Sequence, residues 1–230
     1  MTTLAALQAQ LRQAARERFR RDITQPLVYV ALGASDAAGV GASDAARSYV
    51  ELLAARLRAH YRPDRAVTVR NLAVSGYTIA EIDRDELPQV PALAPDIVTL
   101  WTGGNDVIQS VDTSVFHDAL VHILRVLQQT GAAIFVGTVP DLSLVPLIRS
   151  FPAWVMPLGD PVAYARRRSR DLGDIVLRVA PTYGATLVNV PMSQVLADPT
   201  LVAADGFHPS DAGHTRLADA WWAEVRKRLE

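Results

Sequence analysis

The most constraining stretch of this chain is the apolar run Leu27-Val28-Tyr29-Val30-Ala31-Leu32, closed by Pro26 before it and Gly33 after it. An unbroken apolar run of this length, rich in β-branched and aromatic residues, suits a strand buried on both faces of a parallel sheet. Such sheets carry helices on both sides and bind ligands in the crevice beyond the carboxyl ends of their strands. The bend Gly33-Ala34-Ser35-Asp36-Ala37-Ala38-Gly39 therefore places Ser35 at that rim. A serine in a glycine-rich turn is most often a turn former or a helix cap, so the other strand exits must decide its role.

They have the same character. Ala66–Arg70 reads as a second strand and opens into Asn71-Leu72-Ala73-Val74-Ser75-Gly76-Tyr77. Ile97–Trp101 reads as a third and ends in Thr102-Gly103-Gly104-Asn105-Asp106. Ala132–Gly137 and Ala185–Val190 supply a fourth and a fifth. Helical spacing fills the intervals: Asp44–His60, a capped segment from Thr78 that stops at Pro88, a helix from Asp112 or Thr113 to Gly131, Tyr164–Ala180, and a last helix carrying Leu217, Trp221, Val225 and Leu229. Strict alternation of this kind predicts a three-layer α/β/α domain around a parallel sheet.

Two segments stand apart. Residues 1–24 place Leu4, Leu7, Leu11, Ala15 and Phe19 at helical spacing beside several arginines, which predicts an amphipathic helix packed on the domain spanning 25–230. Between Pro140 and Pro161 regular patterning dissolves into an apolar, proline-interrupted insertion, expected to form an apolar acyl pocket in which Phe151, Trp154 or Met156 contacts the longer acyl chains, so that these are expected to react faster.

Composition narrows the chemistry. The chain has 230 residues, half of them hydrophobic, and a formal net charge of −1, which gives no basic field for nucleic acid or an anionic membrane. It has no cysteine, so a thiolate metal site and a cysteine nucleophile are both excluded. No stretch reaches the ~20 apolar residues of a membrane span, and the arginines of the first helix follow its apolar residues instead of preceding an apolar core, so a cytoplasmic protein acting on a small molecule is expected.

Acyl transfer needs a nucleophile, a base, a group that orients the base, and donors for the oxyanion. Ser35, His208 and Asp205 can supply the first three, the latter two within Asp205-Gly206-Phe207-His208-Pro209. Gly76 offers an unobstructed N–H and Asn105 a side-chain amide. No G-x-S-x-G elbow exists, which argues against an α/β-hydrolase, and Gly39-Val40-Gly41 does not complete the dinucleotide fingerprint of an oxidoreductase.

Taken together, these four blocks resemble the SGNH hydrolases, the GDSL-type esterases and lipases, over nearly the whole chain. The resemblance implies a five-stranded parallel sheet in flavodoxin-like order, Ser35 as nucleophile, His208 as base, Asp205 as the orienting acid, and Ser35, Gly76 and Asn105 as oxyanion donors. It implies hydrolysis of a carboxylic ester through an acyl-enzyme, without cofactor or metal. The chain departs from the family at Ala34, where an aspartate is usual, and Asp36 is expected to take over part of its hydrogen bonding.

Rival readings also exist. A catalytically impaired binding module would explain Ala34, and a carbohydrate acetylesterase would fit the same blocks. Gly41-Ala42-Ser43-Asp44-Ala45-Ala46 repeats the nucleophile turn, but no strand precedes it and Ser43 is expected to be an N-cap. Asp205, His208, Asp211 and His214 recur every three residues as a weaker metal-site pattern, which Pro209 and Gly213 interrupt.

Overall fold

The computed structural model describes residues 25–61, 63–150 and 160–229. The helix expected over residues 1–24 lies outside them, as do Phe151, Trp154 and Met156.

Five strands, β1 (Leu27–Gly33), β2 (Val67–Asn71), β3 (Ile97–Trp101), β4 (Ala133–Gly137) and β5 (Thr186–Val188), form one sheet in the order β2-β1-β3-β4-β5. Every pairing is parallel, with Tyr29 opposite Val69 on one side and Ile97 on the other. Strands β3 and β4 are buried along their whole length, as apolar runs between two helical layers must be. This is the doubly wound arrangement whose ligand crevice lies at the carboxyl ends of the central strands.

Four long helices carry the layers: α1 (Tyr49–Tyr61), α2 (Thr113–Thr130), α3 (Pro161–Val179) and α4 (Asp211–Leu229). Helices α1 and α4 pack together, where Tyr49 stacks on Trp221 with ring centroids 5.8 Å apart. Helix α2 packs against α3 and against the helical run that follows Thr78. The ends obey local chemistry. Asp112 accepts the Ser114 N–H at the start of α2, and Gly131 closes it at φ 72°, a left-handed conformation natural to glycine.

Three sequence expectations need correction. The run beginning at Ile79 does not stop at Pro88. It continues to Leu93 by changing pitch, through a helical turn at Ile79–Glu81, a π turn at Ile82–Glu86, a 3₁₀ turn at Leu87–Gln89 and a last turn at Val90–Leu93. Pro88 and Pro91 fall at the starts of these last two turns, where a missing N–H costs nothing. The insertion after Pro140 is only partly irregular, since Leu142–Leu144 form a 3₁₀ turn capped by Asp141 and Pro146–Ser150 a short helix. Finally, the helix expected from Asp44 starts at Tyr49, preceded by a 3₁₀ turn at Ala45–Arg47 whose cap is Asp44 and not Ser43.

Candidate active site

Strand β1 ends in Gly33, and a side chain there would meet the Trp101 carbonyl oxygen at 2.5 Å, so only glycine allows the chain to turn this closely over β3. Ser35 opens a single helical turn, Ser35–Ala38, with only 8% of its surface exposed. Its carbonyl accepts the Val40 N–H at 2.9 Å, which folds the following loop back over the turn. Among the described residues its hydroxyl has no hydrogen-bond partner.

The loop beyond it fixes the histidine segment. A side chain at Gly41 would collide with the Pro209 carbonyl and the His208 Cβ, so this backbone lies directly against the histidine segment. Asp205 and His208 form a tight pair, with Oδ2 2.6 Å from Nδ1. Since the carboxylate accepts, Nδ1 carries the hydrogen and Nε2 is left with its lone pair. The other Asp205 oxygen accepts the N–H groups of Phe207 at 2.9 Å and His208 at 3.0 Å. Partial burial pushes this carboxyl up, but the imidazole and the two backbone donors outweigh it and hold it below the usual carboxylate range.

At the β3 exit, Gly104–Ile108 form a short helix that presents Asn105. Its Nδ2 donates to the Tyr77 carbonyl at 2.9 Å, which uses one of two amide hydrogens and leaves the second free to donate elsewhere. Asp106 is fully buried beside it and accepts the Ile79 N–H at 3.0 Å and the Thr102 hydroxyl at 3.3 Å. Burial raises its carboxyl to about 6 against the pull of these donors. Gly76 sits at φ 91° in the β2 exit and its carbonyl accepts from Gln109 Nε2. The Ser35 and Gly76 N–H groups take no part in the hydrogen bonds that hold these turns.

Ser35 and Asn105 line one cavity of about 30 Å³, together with Trp101, Leu142, Val145 and Phe207. A second, apolar cavity of about 250 Å³ also has Phe207 in its wall, with Ile108, Leu147, Ile148 and Tyr164.

These alternating strands, the 2-1-3-4-5 order and the polar exits of β1, β2 and β3 coincide with a family-level match. The model of the GDSL-like lipase/acylhydrolase family fits residues 31–216. The chain belongs to that family. It is a carboxylic ester hydrolase. Among its relatives, an acetylxylan esterase of Geobacillus stearothermophilus is 28% identical over 181 residues, 77% of this chain and 80% of that protein. A GDSL-like esterase of Mycobacterium tuberculosis is 25% identical over 224 residues, 93% of this chain and 66% of that one. In fold the chain is similar to TesA, with a TM-score of 0.69 at 23% identity over 88% of this chain and 99% of that one. The crystal structure of the Geobacillus acetylxylan esterase matches with a TM-score of 0.66 at 22% identity, covering 88% and 95%.

One expectation fails at this site. Asp36 does not take over the hydrogen bonding of the absent aspartate at position 34, because its Oδ1 is buried without a partner and burial raises its carboxyl to about 6. Nor do the four residues of the weaker metal pattern converge. Asp211 binds the Ser43 N–H and hydroxyl and Arg47, while His214 is wholly buried between the Tyr49 N–H on Nδ1 and the Val40 carbonyl on Nε2. No group of three or more metal-ligating side chains gathers among the described residues. The carboxylate that does reach the start of the Ser35 turn, through the Gly33 N–H, is Glu86, which sequence reading passed over because nothing in an amphipathic helical run distinguishes one inward glutamate.

Proposed function

We propose that Ser35 attacks the acyl carbonyl of an ester while His208 Nε2 takes its proton, with Asp205 holding the imidazole through Nδ1 and stabilising the cation that forms. The oxyanion receives the Ser35 N–H, the Gly76 N–H and the free hydrogen of Asn105 Nδ2. His208 then gives that proton to the departing alcohol; water, deprotonated by the same nitrogen, attacks the acyl-enzyme, and the proton passes to Ser35 Oγ as the acid leaves.

The observation that carries this reading is the Asp205–His208 pair at 2.6 Å, on a segment against which the loop after Ser35 is packed without room for a side chain. The loose Ser35 hydroxyl is compatible with it, since catalytic hydrogen bonds often tighten only when substrate binds. Every role is filled by side chains and backbone, so activity is expected to survive exhaustive chelation, and loss with recovery on adding a divalent ion would contradict the scheme.

The substrate reading is a short-acyl ester. A cavity of about 30 Å³ beside Ser35 holds roughly two water-sized groups, which matches an acetyl. The named activity of the acetylxylan esterase relative points the same way and makes an acetylated carbohydrate the second reading. The larger apolar cavity that shares Phe207 supports an apolar leaving group, and this short-acyl reading departs from the acyl pocket expected of the insertion, whose Phe151, Trp154 and Met156 lie outside the described residues. A series of aryl esters from acetyl to octanoyl, run beside acetylated xylo-oligosaccharides, tests this. The short-acyl reading expects kcat/KM to be highest at acetyl or propionyl, and a steady rise toward octanoyl overturns it.

A further inference from the structure

Glu86 is a buried carboxylate, 1% exposed, that the reaction scheme above does not use. It ends the π turn Ile82–Glu86, and turns of this kind are rare and concentrate at functional sites. Its two oxygens go to two different strand exits. Oε2 accepts the Gly33 N–H at 3.0 Å, and Oε1 accepts the Val74 N–H at 3.2 Å.

The positions of those two donors are matched. Gly33 lies two residues before Ser35, and Val74 lies two residues before Gly76. Regular pairing between β1 and β2 reaches Ala31 opposite Asn71 and continues to the Leu72 N–H on the Ala31 carbonyl. Beyond that point the two chains diverge toward their turns, joined by a long Val74 N–H to Gly33 carbonyl contact of 3.3 Å and by Glu86.

The third donor is tied by other means, through Asn105 Nδ2 on the Tyr77 carbonyl and Asp106 on the Ile79 N–H. We propose that Glu86 is a positioning residue for the oxyanion site, its two carboxylate oxygens setting the separation of the Ser35 and Gly76 N–H groups by holding the backbone two residues upstream of each. The inference rests on the reading of Ser35, Gly76 and Asn105 given above.

The chemistry of the group fits the task and no simpler one. Two donors, one on each oxygen, are satisfied fully only by a carboxylate, since a neutral acid or an amide turns one of its two heads into a donor. Burial raises the Glu86 carboxyl to about 8 against the pull of the Gly33 and Val74 N–H groups, so the doubly accepting carboxylate is complete only as pH rises past that value. An inward side chain needed only to fill space would be apolar.

Glu86→Gln in the full chain is the direct test, because it preserves shape while setting an amide N–H₂ against one backbone N–H. The expected result for acetyl ester hydrolysis is a fall of at least tenfold in kcat with KM within twofold of wild type. Inactivation by a fluorophosphonate is expected to slow by a similar factor. Glu86→Asp keeps both acceptors on a shorter arm, so its kcat is expected between those of wild type and Glu86→Gln. That comparison also stands in if the glutamine variant does not fold. A folded Glu86→Gln enzyme with kcat within twofold of wild type overturns the proposal, as does a loss of kcat matched by a rise in KM and a fall in Tm. A wild-type chain that is neither labelled by the phosphonate nor active on esters overturns the catalytic reading itself, and the positioning role with it.

Discussion

The same six residues, Gly-Ala-Ser-Asp-Ala-Ala, occur at 33–38 and at 41–46, and the two copies fold into opposite environments. In the first, Ser35 and Ala37 are buried, and Asp36 keeps a carboxylate oxygen without a partner. In the second, Ser43, Asp44 and Ala45 are exposed, Ser43 binds the Asp211 carboxylate, and Asp44 caps a 3₁₀ turn. The difference comes from what precedes each copy. A strand buried at every residue but Val28 drives Gly33 against the Trp101 carbonyl and leaves the next residues at the sheet rim, whereas Gly41 follows a surface loop already turned over His208. On the proposed reading, the strand that delivers a serine, and not the residues around it, decides which copy carries the chemistry.

The largest expected effect separates the two serines. Ser35→Ala should lower kcat for ester hydrolysis by roughly 10⁶-fold, the scale on which a triad nucleophile is lost, while leaving Tm nearly unchanged. Next in size is Asp205→Asn, which leaves the imidazole beside a group that no longer selects its tautomer. A loss of kcat on the order of 10³–10⁴-fold with little change in KM is expected from steady-state kinetics.

The two aspartates of the repeat sharpen the contrast in stability. Burial raises the Asp36 carboxyl from its ordinary 3.8 to about 6, with His208 pulling it down and Asp205 pushing it up. A carboxyl raised in the folded state adds stability that is complete below its unfolded value and is lost as pH rises through the folded one. Asp36→Asn should therefore gain on wild type between pH 4 and pH 6, by on the order of 2 kcal/mol, and hold that gain above pH 6, as read from urea unfolding at several pH values. An unchanged difference across that window would mean that the carboxyl is solvated. Smallest of all is Ser43→Ala, which removes one exposed hydrogen bond to Asp211. Turnover should stay within twofold of wild type and Tm should fall by about 1–3 °C.

How much of this could be read from the chain varies with the physical cause. Ile97–Trp101 was bounded to the residue because an apolar run between Pro95-Asp96 and a glycine pair has no competing reading. The Thr78–Glu81 capping box was equally legible, since the two side chains and two N–H groups involved are neighbours in sequence. Pro88 misled because proline ends a helix of constant pitch but begins a new turn without cost, and pitch changes leave no mark in composition. The blocks around Ser35, Gly76 and Asn105 stood out because each couples a glycine or polar turn to a strand end, and Asp205-x-x-His208 stood out by its spacing just ahead of the last helix. Glu86 did not, because its partners are backbone groups 53 and 12 residues away, and backbone donors have no sequence. Nor did Asp36, whose failure to find a partner depends on the packing around it and not on its neighbours in the chain.

The central claim, that the first copy of the repeat and not the second carries the nucleophile, is tested most directly by locating a fluorophosphonate adduct. Both serines fall on one tryptic peptide, residues 22–47, so the site must be assigned from fragment ions within it. The adduct is expected on Ser35 alone, at one per chain, with loss of esterase activity in step with labelling. An adduct on Ser43, or complete inactivation with Ser35 unmodified, would contradict the account.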